Sequence, residues 1–348
     1  MDLHDRGSIL SDATRVSLFA LIISLALQGC GLIWDVAQFI RPVTGNDLES
    51  ICERGRLHVG MAVEPLRPFV FPAVWTDEGR RVTGLDTELV REIATSLSKQ
   101  CRGQPVAPVL RLVRFRDLFV ELNEGKLDLF VSAVSANIPS PTRAGLAYSI
   151  PYFYDGGIIG ITRRPEVAER VRVTLSKARQ KQEDKLTSVQ AALAGLSVAV
   201  QSGTSADVFA STHLKNATLV LCDSLPAAFE SEDPAIDVIL GKEPVLKFMV
   251  ERVRRDWQPL VLERGKPLLW TREHYSVVTA EESYRLRAFI NSLLFQLEES
   301  GRLAEMRQRW LEDVYAYPRR AASEGLPFAA EGVVQHYDQG QCRWAGPR

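Results

Sequence analysis

Three segments of the chain, Arg56–Val63, Val109–Val113 and Leu129–Ser135, have the length and apolarity of short buried strands, and helix-like segments separate them. Leu89, Val90, Ile93 and Leu97 recur at helical spacing after Asp86-Thr87-Glu88, which has the residues of an N-terminal cap. Leu118, Phe119 and Leu122 share one face of a second helix, which Gly125 ends. Strands that alternate with amphipathic helices at this spacing predict an α/β fold with a parallel, doubly wound sheet. Asp77-Glu78-Gly79 adds a hairpin between the first strand and the first helix.

The third strand runs into a polar loop broken by Pro139 and Pro141 that ends at Arg143. An arginine there has little local structural task, so it is expected to grip an anionic group of a small ligand. With 42 basic and 43 acidic residues in 348, the chain has no broad basic field, and nucleic acid is not expected as a partner. The length admits two domains of ordinary size.

Residues 16–27 form an apolar run of the length of a signal-peptide core, and Leu27-Gln28-Gly29-Cys30 follows directly. This tetrapeptide resembles a bacterial lipobox, which implies that Cys30 becomes the lipidated first residue of the mature chain. An uncleaved membrane anchor remains the alternative, because the run extends through Trp34 toward the ~20 residues of a spanning helix. The acidic leading segment, with Asp2, Asp5 and Asp12, fits neither signal well. Either way the remainder is expected outside the cytoplasmic membrane, periplasmic or extracytoplasmic and tethered. Of the other cysteines, Cys52 precedes the first strand and Cys101 follows the first helix. In an α/β unit these points share one end of the sheet, so a Cys52–Cys101 disulfide is expected, with two free thiols as the alternative. Cys222 and Cys342 have no assigned partner. No clustered His or Cys-x-x-Cys predicts a metal site, and no cofactor is expected.

Pro68-Phe69-Val70-Phe71, Gly84-Leu85-Asp86-Thr87-Glu88-Leu89, Gly125-Lys126-Leu127-Asp128 and Ser149-Ile150-Pro151-Tyr152 occur in that order over about a hundred residues. Together they resemble the first lobe of the bacterial extracellular solute-binding proteins of the amino-acid type, family 3. Leu297 to Trp310 is similar to that family's closing helix pair. The resemblance implies a type 2 periplasmic-binding-protein-like architecture, two doubly wound α/β lobes joined by two hinge crossings. Lobe 1 would comprise residues 52–157 and 274–313, and lobe 2 residues 158–273. Residues 1–30 would be the signal peptide, 31–51 a spacer, 165–185 an inserted charged helix with a solvated face, and 314–348 a loose tail.

In such a fold the ligand lies between the lobes, at loops that follow the strands. Arg143 would hold a carboxylate by its planar fork, with Ser135 donating through its hydroxyl and Ala133 through its backbone. Gln201 leads into Ser202-Gly203-Thr204-Ser205, a turn that opens a helix in the second lobe, and Thr204 and Ser205 would grip the same carboxylate. The resemblance places Phe115 against the ligand side chain and Leu66 or Phe69 on the opposite wall. It also marks three departures. The loop between Ser135 and Arg143 is longer than the family's and contains two prolines, which allows the arginine a displaced position. The acidic residue expected after the first strand is shifted to Glu64, and the aspartate that would hold an α-ammonium is met by Lys242, with Glu243 beside it. Lys242 in the cleft favours an anionic ligand; Glu243 in its place preserves amino-acid binding.

A tethered receptor that delivers a small carboxylate-bearing solute to a membrane transporter permease follows as the leading expectation. No Gly-x-Ser-x-Gly elbow or phosphate loop is present, and the five histidines, His4, His58, His213, His274 and His336, are scattered, so no hydrolytic centre is predicted. Some proteins resembling this family are dehydratases of prephenate-like substrates, for which Glu64 or Glu243 would be the acid. A ligand-sensing lipoprotein, using the 165–185 helix as a contact surface, is the third expectation.

Overall fold

The computed structural model describes residues 47–312, apart from 63, 65, 77, 78, 137, 139–142, 233 and 234, together with 325–327 and 340–345. The signal segment with Cys30, most of the 31–51 spacer, and Pro139 and Pro141 lie outside the described residues. No described helix is long and apolar enough to cross a membrane.

The described residues begin with α1 (Asp47–Arg54) and β1 (Arg56–Ala62), and a hairpin of β2 (Phe71–Thr76) and β3 (Gly79–Thr83) follows. Next come α2 (Leu85–Gln100), β4 (Ala107–Val113), α3 (Asp117–Asn123), β5 (Leu129–Ser135), β6 (Leu146–Tyr148) and β7 (Phe153–Gly156). α2 forms because Leu89, Val90, Ile93 and Leu97 make one apolar stripe, and all four are completely buried. Each such side chain contributes about 2 kcal/mol relative to exposure. The helix start differs from expectation: the N-cap is Gly84, with φ 126°, and Asp86 lies inside the first turn. At Gly84 a side chain would meet the Phe69 carbonyl oxygen at 2.1 Å, so only glycine fits both the dihedral and the space.

The second lobe runs β8 (Ile158–Thr162), α4 (Pro165–Gln180), α5 (Lys185–Leu193), β9 (Ser197–Gln201), α6 (Ser205–His213), β10 (Thr218–Cys222), α7 (Leu225–Glu230), β11 (Val238–Lys242) and α8 (Glu243–Phe248), then the short β12 (Gln258–Pro259), β13 (Leu262–Glu263) and β14 (Lys266–Pro267). α4 is the expected charged helix. One face carries its charges, while Val167 and Val171 are buried in the lobe's apolar core. The chain returns through β15 (Glu273–Ala280), and α9 (Tyr284–Glu299) and α10 (Arg302–Arg307) pack on the first lobe. Glu88 in α2 anchors that return, accepting from Arg302 at 2.7 Å and from the Trp310 indole N–H at 2.6 Å.

Both sheets follow one plan. In the first lobe the order is β4-β1-β5-β15-β6, with β7 pairing on β15; β4, β1 and β5 are parallel and β15 is antiparallel. In the second, β10-β9-β11 are parallel and β8 is antiparallel beside β11. Each lobe therefore has a parallel triplet whose first strand is central, flanked by a strand that arrives from the hinge. At the hinge the two crossings lie back to back. A Cβ on Gly157 would stand 2.3 Å from the Thr271 carbonyl oxygen, and one on Gly156 would stand 2.8 Å from that of Glu273. Glu273, expected in lobe 2, instead opens β15 and pairs with Gly156.

The expected loose tail is held at two points. β16 (Leu326–Pro327) pairs with β3, and β17 (Cys342–Trp344) adds an edge strand to β10. A Cys222–Cys342 disulfide fixes the second, and a Cys52–Cys101 disulfide ties α1 to the end of α2. A three-residue edge strand has too little periodicity to be seen in sequence; its register comes from β10.

Candidate functional site

The parallel strands of both lobes end at the same cleft. Ser135 closes β5, Gln201 closes β9 and Lys242 closes β11, and Ser205 is the first residue of α6. This is the position at which open α/β sheets hold ligands. The Lys242 ammonium, only 4% exposed, reaches out of the second lobe to the Ser135 hydroxyl at 2.8 Å. It also lies 3.3 Å from the Ser205 hydroxyl and 3.3 Å from Oε2 of Glu273. Ser135 and Ser205 in turn donate to that same Oε2, Ser205 at 2.9 Å. One carboxylate oxygen thus collects a hydroxyl from each lobe and an ammonium.

Burial alone would push the Glu273 carboxyl up, but the Lys242 charge and the two hydroxyl donors outweigh it, and the group is held below its ordinary range. Lys242 is lowered, chiefly by burial, with the Arg143 charge acting in the same direction and Glu273 against it. The Tyr275 ring lies beneath the ammonium, its centroid 4.6 Å from Nζ. Phe153 stacks on Tyr275, and Phe69 meets both edge-on.

Behind this cluster is a second buried carboxyl. Asp86 accepts the Ala133 N–H at 2.7 Å and the Tyr152 hydroxyl at 2.7 Å, and burial raises it from 3.8 to about 7. This contact ties the first turn of α2 to β5 at Ala133, whose φ is positive at 47°. The backbone donor expected of Ala133 is therefore already engaged inside the protein.

Arg143 is buried at the edge of the cluster. Its Nη1 donates to the Ser135 carbonyl and, at 3.4 Å, to the Tyr148 hydroxyl, and its guanidinium lies 5.1 Å from the Phe119 ring centroid. The aromatic beside the arginine is thus Phe119. Phe115 packs behind it edge-on at 5.7 Å, and its N–H donates to Glu64 at 2.9 Å. Glu64 is pushed from 4.5 to about 7 by burial, which backbone hydrogen bonds only partly offset. Leu66 from the first lobe and Gln201, Thr204 and Val245 from the second line a pocket of about 10 Å³ beside Lys242, room for about one water. Within it, the buried amide nitrogen of Gln201 has no hydrogen-bond partner among the described residues. Thr204 caps α6 by accepting from Asp207 N.

Glu243 stands apart. It begins α8, its carboxyl is raised by burial, and its charged neighbours are Lys247, Glu312, Glu251 and Lys266. The acid that faces Lys242 is Glu273, which sequence reasoning missed. Its only local signal is an inward-facing acidic residue at the start of the alternating strand Glu273-His274-Tyr275. Asp86 was visible as a cap and within the Gly84–Leu89 motif, but not as a partner of Ala133 and Tyr152.

The lobes meet outside the cluster as well. Phe71 of lobe 1 contacts Phe248 of lobe 2 edge-on at 5.7 Å, and Gly203 abuts Arg116.

Comparison with known proteins bears on the fold. The chain is 23% identical over 257 residues to the amino-acid-binding protein AabA of Dichelobacter nodosus, covering 73% of this chain and 86% of that protein. A 134-residue segment is 32% identical to membrane-bound lytic murein transglycosylase F of Vibrio cholerae; it covers 38% of this chain but only 21% of that protein. Among solved structures, a mutant of ArgBP from T. maritima superposes with a TM-score of 0.57 at 25% identity, over 77% of this chain and all of that one. The family model for bacterial extracellular solute-binding proteins, family 3, matches residues 61–313, and the chain belongs to that family.

Proposed function

We propose that this protein captures a small carboxylate-bearing solute, a polar amino acid or an organic anion, between its lobes and delivers it to the permease of an ABC-type importer. The observation that carries this is the convergence of Ser135, Ser205 and Lys242, from both lobes, on a single carboxylate oxygen. A donor set that satisfies a buried carboxylate of the protein has the chemistry to satisfy that of a ligand. Arg143 and Lys242 outnumber Glu273 at the cluster, and Asp86 is largely neutral below about pH 7, so the local charge favours a ligand with net negative charge. Glu64, Leu66, Gln201 and Thr204 would bound the remainder of the ligand. A dehydratase would need an acid poised to give up a proton here. Glu273 is depressed and Glu243 lies elsewhere; Glu64, raised to about 7, is the one of these acids with the protonation the reaction needs, and its carboxyl is held by the Phe115 N–H.

The test is a thermal-shift panel of amino acids, dicarboxylates and keto acids. A ligand at 100 times its Kd should add about 2.7 kcal/mol. Arg143→Ala should abolish the shift, and undiminished binding by that variant would overturn the assignment. We assign the mature chain to the outside of the cytoplasmic membrane, anchored through a lipid on Cys30. Mass spectrometry of the mature N-terminus should find a diacylglyceryl cysteine, and a retained leader would refute the anchor.

A further inference from the structure

The donors that a ligand carboxylate would use are occupied by a carboxylate of the chain itself. Glu273 is completely buried, and its Oε2 takes Ser135, Ser205 and Lys242 while Oε1 lies 3.4 Å from the Thr271 hydroxyl. The ammonium is equally engaged, with Ser135, Ser205 and Glu273 around it. The pocket beside Lys242, at about 10 Å³, has room for about one water. The placement is also mechanical. Ser135 belongs to lobe 1, Ser205 and Lys242 to lobe 2, and Glu273 to the return crossing, packed against Gly156 of the outgoing one. A contact that spans both lobes from the hinge ties their closure to the position of one side chain.

We propose that Glu273 is a tethered stand-in for the ligand's carboxylate: it closes the lobes from within, and a solute enters by displacing it from Ser135, Ser205 and Lys242. This rests on the solute-receptor function above and adds a selectivity rule. A tethered carboxylate competes at high effective concentration, so only a free carboxylate with further contacts in the cleft displaces it. Solutes that lack a carboxylate have nothing to offer the donors that Glu273 would leave.

The test measures closure by electron–electron resonance distances between spin labels at Glu124→Cys and Lys215→Cys, exposed positions in lobes 1 and 2, in the full chain carrying Cys30→Ser. With no solute added, the wild-type cleft should give one short distance. Glu273→Ala should move the population to longer distances, and Glu273→Gln, which keeps the side chain's size, should do the same if charge is what matters. Acetate, a free carboxylate of the size removed, should return Glu273→Ala to the short distance, while equimolar chloride should not, and neither should alter the wild type. Both variants holding the short distance, or an opened Glu273→Ala indifferent to acetate, would overturn the proposal. Because closure is read without the natural solute, failure here leaves the Arg143→Ala result standing, and a failed ligand screen leaves this result standing.

Discussion

Replacing Lys242 with methionine keeps most of the side-chain volume and removes the ammonium that faces Glu273. At 3.3 Å, and with an effective dielectric near 20, the lost attraction is about 5 kcal/mol. Breaking a buried pair by deleting one partner costs about 3–5 kcal/mol, and the side chains here are only 5% and 1% exposed. For a protein of this size that corresponds to a fall in Tm of roughly 4–8 °C. The pH dependence is the sharper signature. In the wild type the depressed Glu273 contributes stability that is present above its unfolded pKa and lost as pH falls through the folded one. Without Lys242, burial dominates and the carboxyl can take up a proton. The deficit of Lys242→Met should therefore be largest at pH 7–8 and should shrink toward pH 4, as followed by urea denaturation across that range. Lys242→Met combined with Glu273→Met should recover most of the loss, since an apolar pair of similar volume replaces the ion pair. A deficit of equal size at pH 4 and pH 8, or a double variant worse than the single, would show that the two charges are not coupled as the geometry requires.

Gly157→Ala should destabilise by about 1–3 kcal/mol, because its methyl would lie 2.3 Å from the Thr271 carbonyl oxygen and force the crossings apart; an unchanged melting curve would contradict that packing. Glu64, raised from 4.5 to about 7, contributes stability that is complete below pH 4.5 and lost as pH rises to 7, up to about 3 kcal/mol. Glu64→Gln should flatten that part of the stability profile, leaving the slope of the same sign from Asp86, and a profile identical to wild type would count against the buried carboxyl. Cys342→Ser should expose the C-terminal segment to trimming by protease with little change in core melting, since β17 is an edge strand. Equal trimming of the oxidised wild type would show that the disulfide does not secure it.

What could be read from the residues alone was what periodicity and local propensity control. The buried stripe of α2, the strand ending at Ser135, the helix opening at Ser205 and the charged helix at Pro165 all stand where their patterns put them, while the strand before that helix at Ser205 runs on through Gln201, which the sequence assigns to the turn. Asp86 shows the limit. Its position before an apolar stripe has the signature of a cap, yet its partners are Ala133 and Tyr152, 47 and 66 residues away. Lys242 was singled out because it breaks an expected pattern, but its partner could not be, for Glu273 was not part of any motif.

The alternation of strands and helices and the polar residues at strand ends were legible from local pattern, because alternation, capping and turn chemistry act over a few residues and survive without the rest of the fold, while the two lobes were legible only through the family resemblance. Which side chains meet was decided by tertiary structure. Ser135, Ser205 and Lys242 lie 138, 68 and 31 residues from Glu273 and come together only when β15 pairs antiparallel with β5 and the second lobe closes on the first. Strand register and hinge geometry set those contacts, and neither leaves a local trace in the chain.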